Sequence, residues 1–448
     1  MRTHYDLAII GSGTAATTCA LAVAKAGLRV TVIDVRRLGG TCALRGCDPK
    51  KVMVATAGAL DHVRRATGKG IQGQACLDWA DLLAFKRTFT DPVPQAKEEL
   101  FAKQGIATIH GHASFIGERS LDVDGRQIDA DRILIAAGAE PVPLGIPGED
   151  MVLTIESVLA LDLLPRRMLI VGGGYIAAEL SHIAARAGAQ VTIVHEGEHI
   201  LEHFAAELVG WLRDAFDAAG IAIHTATQVI GIERQDRALL VHALHKERSV
   251  TFEVDAVVHG AGRRPDFDSM NLQAAGIDLD HGRLKLNEYL QSASNTAVYA
   301  AGDAAGMGPP LTPVAAHDGA VVADNILKGN HRKPDYRAVP SVAFTIPPIA
   351  SVGLSGHQAS ELQLAFDIRC QDASAWFSAR AEAQQVYGYK ILVEKDTGKI
   401  LGAHLVGPHA DELINLFSLA IRHDLTADQL KATMFAYPTG ASDIASML

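Results

Sequence analysis

The chain has 448 residues, 48% of them hydrophobic and 21% charged, with a formal net charge of −10. That length exceeds one ordinary core and predicts roughly two to four domains, and an acidic balance without a basic stripe argues against nucleic acid as the main partner. The opening residues show no signal-peptide pattern, the apolar run 7–10 is too short to span a bilayer, and the 5 cysteines are too few and scattered for a secreted disulfide framework, so a cytoplasmic protein is expected.

Residues 6–10 read as a short apolar strand ending at Gly11. An alanine-rich helix follows over 15–26, closed by Gly27, and a second strand over 29–33 ends at Asp34. The turn Gly11-Ser12-Gly13-Thr14-Ala15-Ala16 fits G-x-G-x-x-A. Its first glycine permits the tight turn and its second lets the backbone approach a pyrophosphate. The small third residue allows close helix–strand packing, and the helix N-terminus supplies positive dipole. Asp34 is placed to accept hydrogen bonds from ribose hydroxyls. Strand, turn, helix, strand and terminal acid agree, which lifts the motif above an ordinary tight turn.

Next comes Gly39-Gly40-Thr41-Cys42-Ala43-Leu44-Arg45-Gly46-Cys47-Asp48-Pro49-Lys50-Lys51. Two cysteines at this spacing can close a small disulfide ring, and their place just after a nucleotide-binding start sets a redox-active sulfur pair beside a bound cofactor. The nearby cations Arg45, Lys50 and Lys51 are expected to favour the reactive thiolate. A metal pair or two inert thiols is the competing reading. Cys19, Cys76 and Cys370 read as buried thiols or bystanders.

An apolar strand over 132–136 runs into Gly138. The strand–turn–helix–strand order then recurs over 167–196, with the turn Gly172-Gly173-Gly174-Tyr175-Ile176-Ala177 and a helix stop at Gly188, which implies a second dinucleotide site. Glu179 is a mid-helix acid on an otherwise apolar face, hard to explain as core. His195, His199 and His203 fall four apart, as metal ligands on a helix would, but Gly197 and the position just after a strand favour a solvated loop. A further strand runs into Gly302-Asp303. Beyond Pro334, strands over 341–344 and 389–393 and a helix over 411–423 predict a separate α+β domain.

These motifs resemble the flavoprotein disulfide reductases of the glutathione reductase, dihydrolipoamide dehydrogenase and mercuric reductase type, through almost the whole chain. The resemblance implies an α/β fold with two Rossmann-like dinucleotide-binding domains and a C-terminal α+β dimerisation domain. Residues 1–146 would form the first part of an FAD-binding domain, 147–262 an NAD(P)-binding domain, 263–333 the second part of the FAD domain and 334–448 the interface domain. It further implies a homodimer that uses FAD and NADH or NADPH, with a small-molecule disulfide or other electron acceptor as substrate and no resident metal. Cys47 would face the flavin and Cys42 would perform interchange. Lys50 would sit near the flavin, paired with Glu179, and Tyr175 would gate the nicotinamide face. Matching FAD positions are Gly11, Gly13, Thr14, Ala15, Asp34, Gly40, Thr41, Lys51, Gly138, Asp303, Leu311 and Thr312. Those for the nicotinamide nucleotide are Gly172, Gly174, Tyr175, Ile176, Glu196 and Gly262. NADPH-specific relatives place arginines where Glu196 and Glu202 stand; a carboxylate there repels a 2′-phosphate, so NADH is expected.

The chain also departs from the pattern. Tyr437 stands in the position of the catalytic histidine that the partner subunit donates, and Ser442 in that of its glutamate. A phenol titrates near ~10 and an imidazole near ~6.5, so Tyr437 is a poor base at neutral pH. Mercuric reductases carry a tyrosine in this region but end in a vicinal cysteine pair, whereas this sequence closes Ala445-Ser446-Met447-Leu448. Leu44 replaces an asparagine, Asp48 an apolar residue and Ala137 a threonine. Two rival readings follow: a soft-metal-ion reductase, and a flavin-bearing redox sensor without efficient turnover.

Overall fold

The computed structural model describes residues 3–265 and 267–448, which divide into two compact units. The first comprises Met1–Pro49, Arg87–Val142 and Arg263–Tyr336; the second comprises Lys50–Lys86, Pro143–Gly262 and Arg337–Leu448.

The first unit is built on a seven-stranded sheet. Its centre is β1 (Thr3–Ile10), which pairs in parallel with β2 (Val30–Asp34) on one side and with the strand Arg126–Ile135 on the other. The strand Val298–Ala300 adds in parallel to the latter, bringing Ala300 opposite Ile135, so the three segments that end at Gly11, Gly138 and Gly302 lie in one sheet as the sequence predicts. An antiparallel hairpin, Ala113–Gly117 with Ser120–Val123, extends the edge. The central strands are apolar on both faces because both are covered: Leu7, Ile9, Val32, Ile33, Leu134 and Ile135 are fully enclosed. Small residues set the covering layer. Helix α1 (Thr14–Lys25) lies against the helix Thr312–Lys328, where a Cβ on Gly319 would fall 2.4 Å from the Ala15 carbonyl oxygen.

The second unit repeats the plan with a five-stranded parallel sheet centred on Arg167–Val171, flanked by Gln190–Val194 and Ala256–His259. Its nucleotide helix, Tyr175–Arg186, is covered along most of its length. A three-stranded antiparallel meander, Thr227–Gln235, Ala238–His245 and Arg248–Val254, follows; its register is continuous apart from a bulge at 229–231. The C-terminal region forms a five-stranded antiparallel sheet with the helix Ala410–Arg422 on one face, burying Leu413, Ile414 and Phe417. Residues 50–66, the body of the 20-residue helix that starts at Cys47, also belong to this unit.

Candidate active site

Glycines shape the nucleotide turn of the first unit because the backbones touch. Gly11 has φ +104° and a Cβ there would lie 2.3 Å from the Ala136 carbonyl oxygen; Gly40 has φ +75° and its Cβ would lie 2.4 Å from the Gly13 Cα. The loop that leads to the cysteines therefore rests directly on the G-x-G turn. Ser12 fastens it. Its hydroxyl donates to Asp34 Oδ2 at 2.5 Å and accepts from the Gly39 N–H at 3.0 Å, while the Arg36 N–H donates to Asp34 Oδ1 at 2.8 Å. Asp34 is thus a loop anchor as well as the expected ribose acceptor, and two of its lone pairs are already used. Ser12 was not singled out from the sequence; a lone hydroxyl inside a glycine turn has no periodic signature.

Gly13 is the N-cap of α1, and no side chain caps the helix; Thr14 and Ala15 begin it. Leu311 precedes the Thr312–Lys328 helix in the same uncapped state. Gly138 has φ +75°, Thr41 is exposed, and Asp303 is half-buried with its carboxyl held above the usual range by burial. Uncapped N–H groups over a turn that no Cβ could enter are what the pyrophosphate of a dinucleotide requires, so the residues fit FAD. The second unit offers the same device. A Cβ on Gly172 would lie 2.3 Å from the Gly260 carbonyl oxygen, Gly174 N-caps its helix without a side-chain bond, and Gly262 turns the chain with φ +103°.

Tyr175 opens that helix, hydrogen-bonds the Ser341 hydroxyl and meets Phe204 edge-on at 5.6 Å; Ile176, next to it, is partly buried in the same cluster. The segment after Val194 is a loop, as expected, and His195, His199 and His203 do not converge on a metal-type cluster among the described residues. Within it, His195 Nε2 lies 3.3 Å from Glu202 Oε1, while Glu196 is exposed. Only one of the two acids read from the sequence is thus left facing solvent without this tether.

The two redox cysteines meet on one hydroxyl. Thr312 Oγ1 donates to Cys42 Sγ at 3.0 Å and lies 3.3 Å from Cys47 Sγ. The two sulfurs are not bonded to each other in this arrangement. Cys42 ends up in the helix α2 (Gly40–Arg45) and Cys47 at the start of α3 (Cys47–Ala66), where the positive end of the helix favours an anion. The expectation that neighbouring cations lower the Cys42 pKa is corrected. Its thiol is pushed up, first by the hydrogen bond with Cys47, then by burial and by the charges of Cys47 and Asp48, with Thr312 alone opposing. Lys50 is committed to Glu179 and Lys51 to Asp411, so neither charge is spare.

Lys50 and Glu179 form the buried ion pair anticipated from the sequence, with side chains 14% and 5% exposed. Glu179 is fully employed, since Oε2 meets Lys50 and Oε1 accepts the Phe344 N–H at 3.0 Å. Lys51, expected as a cofactor contact, has partners of its own in the second unit. Its ammonium lies 3.3 Å from Asp411 and 3.7 Å from the Phe344 ring centre, which spends it on packing in the second unit. Tyr437 is 80% exposed in the protomer. Ser442 does not orient it: its hydroxyl donates to the Thr439 carbonyl at 2.5 Å and caps its own turn.

Comparison with known proteins agrees with this arrangement. Residues 5–319 match the family described as pyridine nucleotide-disulphide oxidoreductase, and residues 339–448 match that family's dimerisation domain. The chain belongs to the pyridine nucleotide-disulphide oxidoreductases. It is 33% identical over 445 residues to a mercuric reductase of Staphylococcus aureus, covering 98% of this chain and 81% of that protein. It is 32% identical over 448 residues to a glutathione reductase of Burkholderia cepacia, covering 99% and 98%. Among solved structures, the Cu(II) complex of the HOCl-induced flavoprotein disulfide reductase RclA from Escherichia coli superposes with a TM-score of 0.89 at 27% identity, covering 100% of this chain and 99% of that one. The chain is therefore an FAD-dependent oxidoreductase that takes electrons from NAD(P)H, the Cys42–Cys47 pair fits its redox disulfide, and the dimerisation domain supports a homodimer. No helix among the described residues is long and apolar enough to cross a membrane.

Proposed function

We propose that the enzyme prefers NADH and delivers electrons from the Cys42 sulfur to a small acceptor, with Tyr437 of the partner subunit at the acceptor side. The observation that carries this reading is the convergence of both sulfurs on the Thr312 hydroxyl. FAD, when bound, supplies a two-electron relay between a reduced nicotinamide and a disulfide. The protein's own residues do the rest. Gly11, Gly13, Thr14, Ala15, Gly40, Thr41 and Gly138 take the pyrophosphate and its surroundings, Asp34 the ribose, and Asp303, Leu311 and Thr312 the remainder of the flavin nucleotide. Gly172, Gly174, Ile176 and Gly262 shape the second turn, Tyr175 covers the nicotinamide pocket, and exposed Glu196 disfavours a 2′-phosphate. Lys50 and Glu179 hold each other as a buried ion pair.

Two electrons and two protons convert the Cys42–Cys47 disulfide to two thiols. With an external disulfide, Cys42 then attacks one acceptor sulfur, forming a mixed disulfide and releasing one thiol. Cys47 displaces the second thiol from Cys42 and restores the internal bond. The departing thiolates need protons, and a neutral phenol at Tyr437 is a hydrogen-bond donor rather than a base near neutrality. Alkyl disulfides are accordingly expected to turn over slowly.

A second reading, reduction of a soft metal ion, is favoured by a specific contact: Asp48 Oδ1 lies 3.8 Å from Cys42 Sγ, a carboxylate beside the acceptor-side sulfur. One relative is named a mercuric reductase and the RclA structure holds Cu(II). Such an acceptor needs no protonated leaving group. Steady-state oxidation of NADH and NADPH with glutathione disulfide, lipoamide, quinones, Hg(II) and Cu(II) separates the readings. Turnover with none of them would mean a redox sensor instead.

A further inference from the structure

The carboxylate beside Cys42 has a consequence for substrate choice. Asp48 occupies the residue after the second cysteine, where the family pattern carries an apolar side chain. Its Oδ1 lies 3.8 Å from the Cys42 Sγ, within reach of the thiol proton. Cys42 is half-buried and Asp48 exposed, so the charge sits at the rim through which an acceptor reaches the sulfur. The groups that act on Cys42 are Cys47 and Asp48 of α3 and Thr312 at the start of its helix. We propose that Asp48 is a specificity-determining residue that sorts acceptors by charge, admitting cationic and neutral ones to Cys42 and turning away anionic ones. This rests on the proposal that Cys42 is the acceptor-side sulfur.

The physics is Coulombic. In dithiodiglycolate and cystamine the charge lies one or two carbons from the sulfur that Cys42 attacks, which brings it near the Asp48 carboxylate, and a partly screened unit-charge interaction over several ångströms changes an encounter or transition-state equilibrium by about tenfold. The sign depends on the acceptor, so a cation gains what an anion loses. Asp48 acts on the sulfur as well, because a carboxylate next to a thiol opposes ionisation. An acid in the first turn of a helix also stabilises that helix through its dipole. That role weakens the enzyme toward all acceptors alike, and so it can be told apart.

The test uses the FAD-loaded dimer and three disulfides of different charge: cystamine, bis(2-hydroxyethyl) disulfide and dithiodiglycolate. Wild-type kcat/KM should fall in that order, and raising salt should narrow the range. Asp48→Asn should lower the cystamine value and raise the dithiodiglycolate value, each by about tenfold, with the neutral disulfide changed least; Asp48→Glu should keep the wild-type order. A second readout needs no turnover. In the reduced protein, the ratio of Cys42 alkylation by iodoacetate to that by iodoacetamide, read by mass spectrometry, should rise about tenfold in Asp48→Asn, and the midpoint pH for iodoacetamide should fall. Equal shifts for all three disulfides, or an unchanged alkylation ratio, would overturn the assignment. If no disulfide is turned over while the alkylation ratio shifts as stated, it is the acceptor reading that fails and the Asp48 charge effect stands.

Discussion

Asp318 shows how a single buried carboxyl ties this fold to pH. It is fully enclosed in the Thr312–Lys328 helix, accepts the Gly302 N–H at 3.0 Å and the Tyr336 hydroxyl at 2.9 Å, and is pushed up to about 6, chiefly by burial. An unfolded aspartate ionises near ~3.9, so between roughly pH 4 and 6 the folded chain holds a proton that the unfolded chain has lost. Stability from this group is therefore greatest below pH 4 and declines as pH rises through the folded value. Asp318→Asn lacks that titration. In denaturant unfolding of the holoprotein, the stability difference should move in favour of the Asn variant by roughly 2–3 kcal/mol between pH 4 and pH 6, then level off. A difference that stays flat would contradict it. Nucleotide choice is also decided at this scale. Glu196 is exposed, whereas Glu202 is drawn onto His195 at 3.3 Å. Glu196→Arg should raise kcat/KM for NADPH relative to NADH by about tenfold, and Glu202→Gln should do less. A wild type that oxidises NADPH faster than NADH would show that this loop has been misread.

At the scale of elements, the helix beginning at Cys47 and the nucleotide helix Tyr175–Arg186 are joined by buried charge. Lys50 meets Glu179, and further along Arg186 Nη2 lies 2.5 Å from Asp61 Oδ1, with the Arg186 side chain only 5% exposed. Arg186 also approaches His182 Nδ1 at 2.8 Å, and burial keeps that imidazole neutral well below its ordinary pKa. Removing one partner strands the other charge. Asp61→Asn should cost about 3–5 kcal/mol in unfolding by denaturant, far more than a surface pair. A loss below ~1 kcal/mol would mean that water reaches Arg186. The sequence made the glycine turns legible because backbone contact leaves only glycine possible at Gly11 and Gly40, and it exposed Glu179 because a mid-helix acid on an apolar face demands a partner. It hid Asp61 and Arg186, which look like solvated charges on amphipathic helices. It hid the sulfur-bridging bond of Thr312, which depends on a contact across 265 positions of chain. The meander over 227–254 carries Gly231 at its bulge but none of the nucleotide-type motifs that marked the two parallel sheets.

At the scale of the whole molecule, electrons pass from NAD(P)H through FAD within a family fold, and the proposed difference lies at the acceptor end. The nucleotide turns, the Lys50–Glu179 pair and the Cys42–Cys47 pair follow the family pattern, while Tyr437, Ser442 and Asp48 depart from it. The central claim is that NADH reduces the Cys42–Cys47 disulfide, and thiol counting tests it most directly. The oxidised, FAD-loaded protein is treated anaerobically with one equivalent of NADH, alkylated with iodoacetamide and mapped by mass spectrometry. The account predicts a closed Cys42–Cys47 disulfide before NADH and two new labels, at Cys42 and Cys47 only, after it. Cys76 and Cys370 are exposed and take label with or without NADH; label at Cys42 or Cys47 before NADH, or a disulfide between them that survives reduction of the flavin, would contradict it.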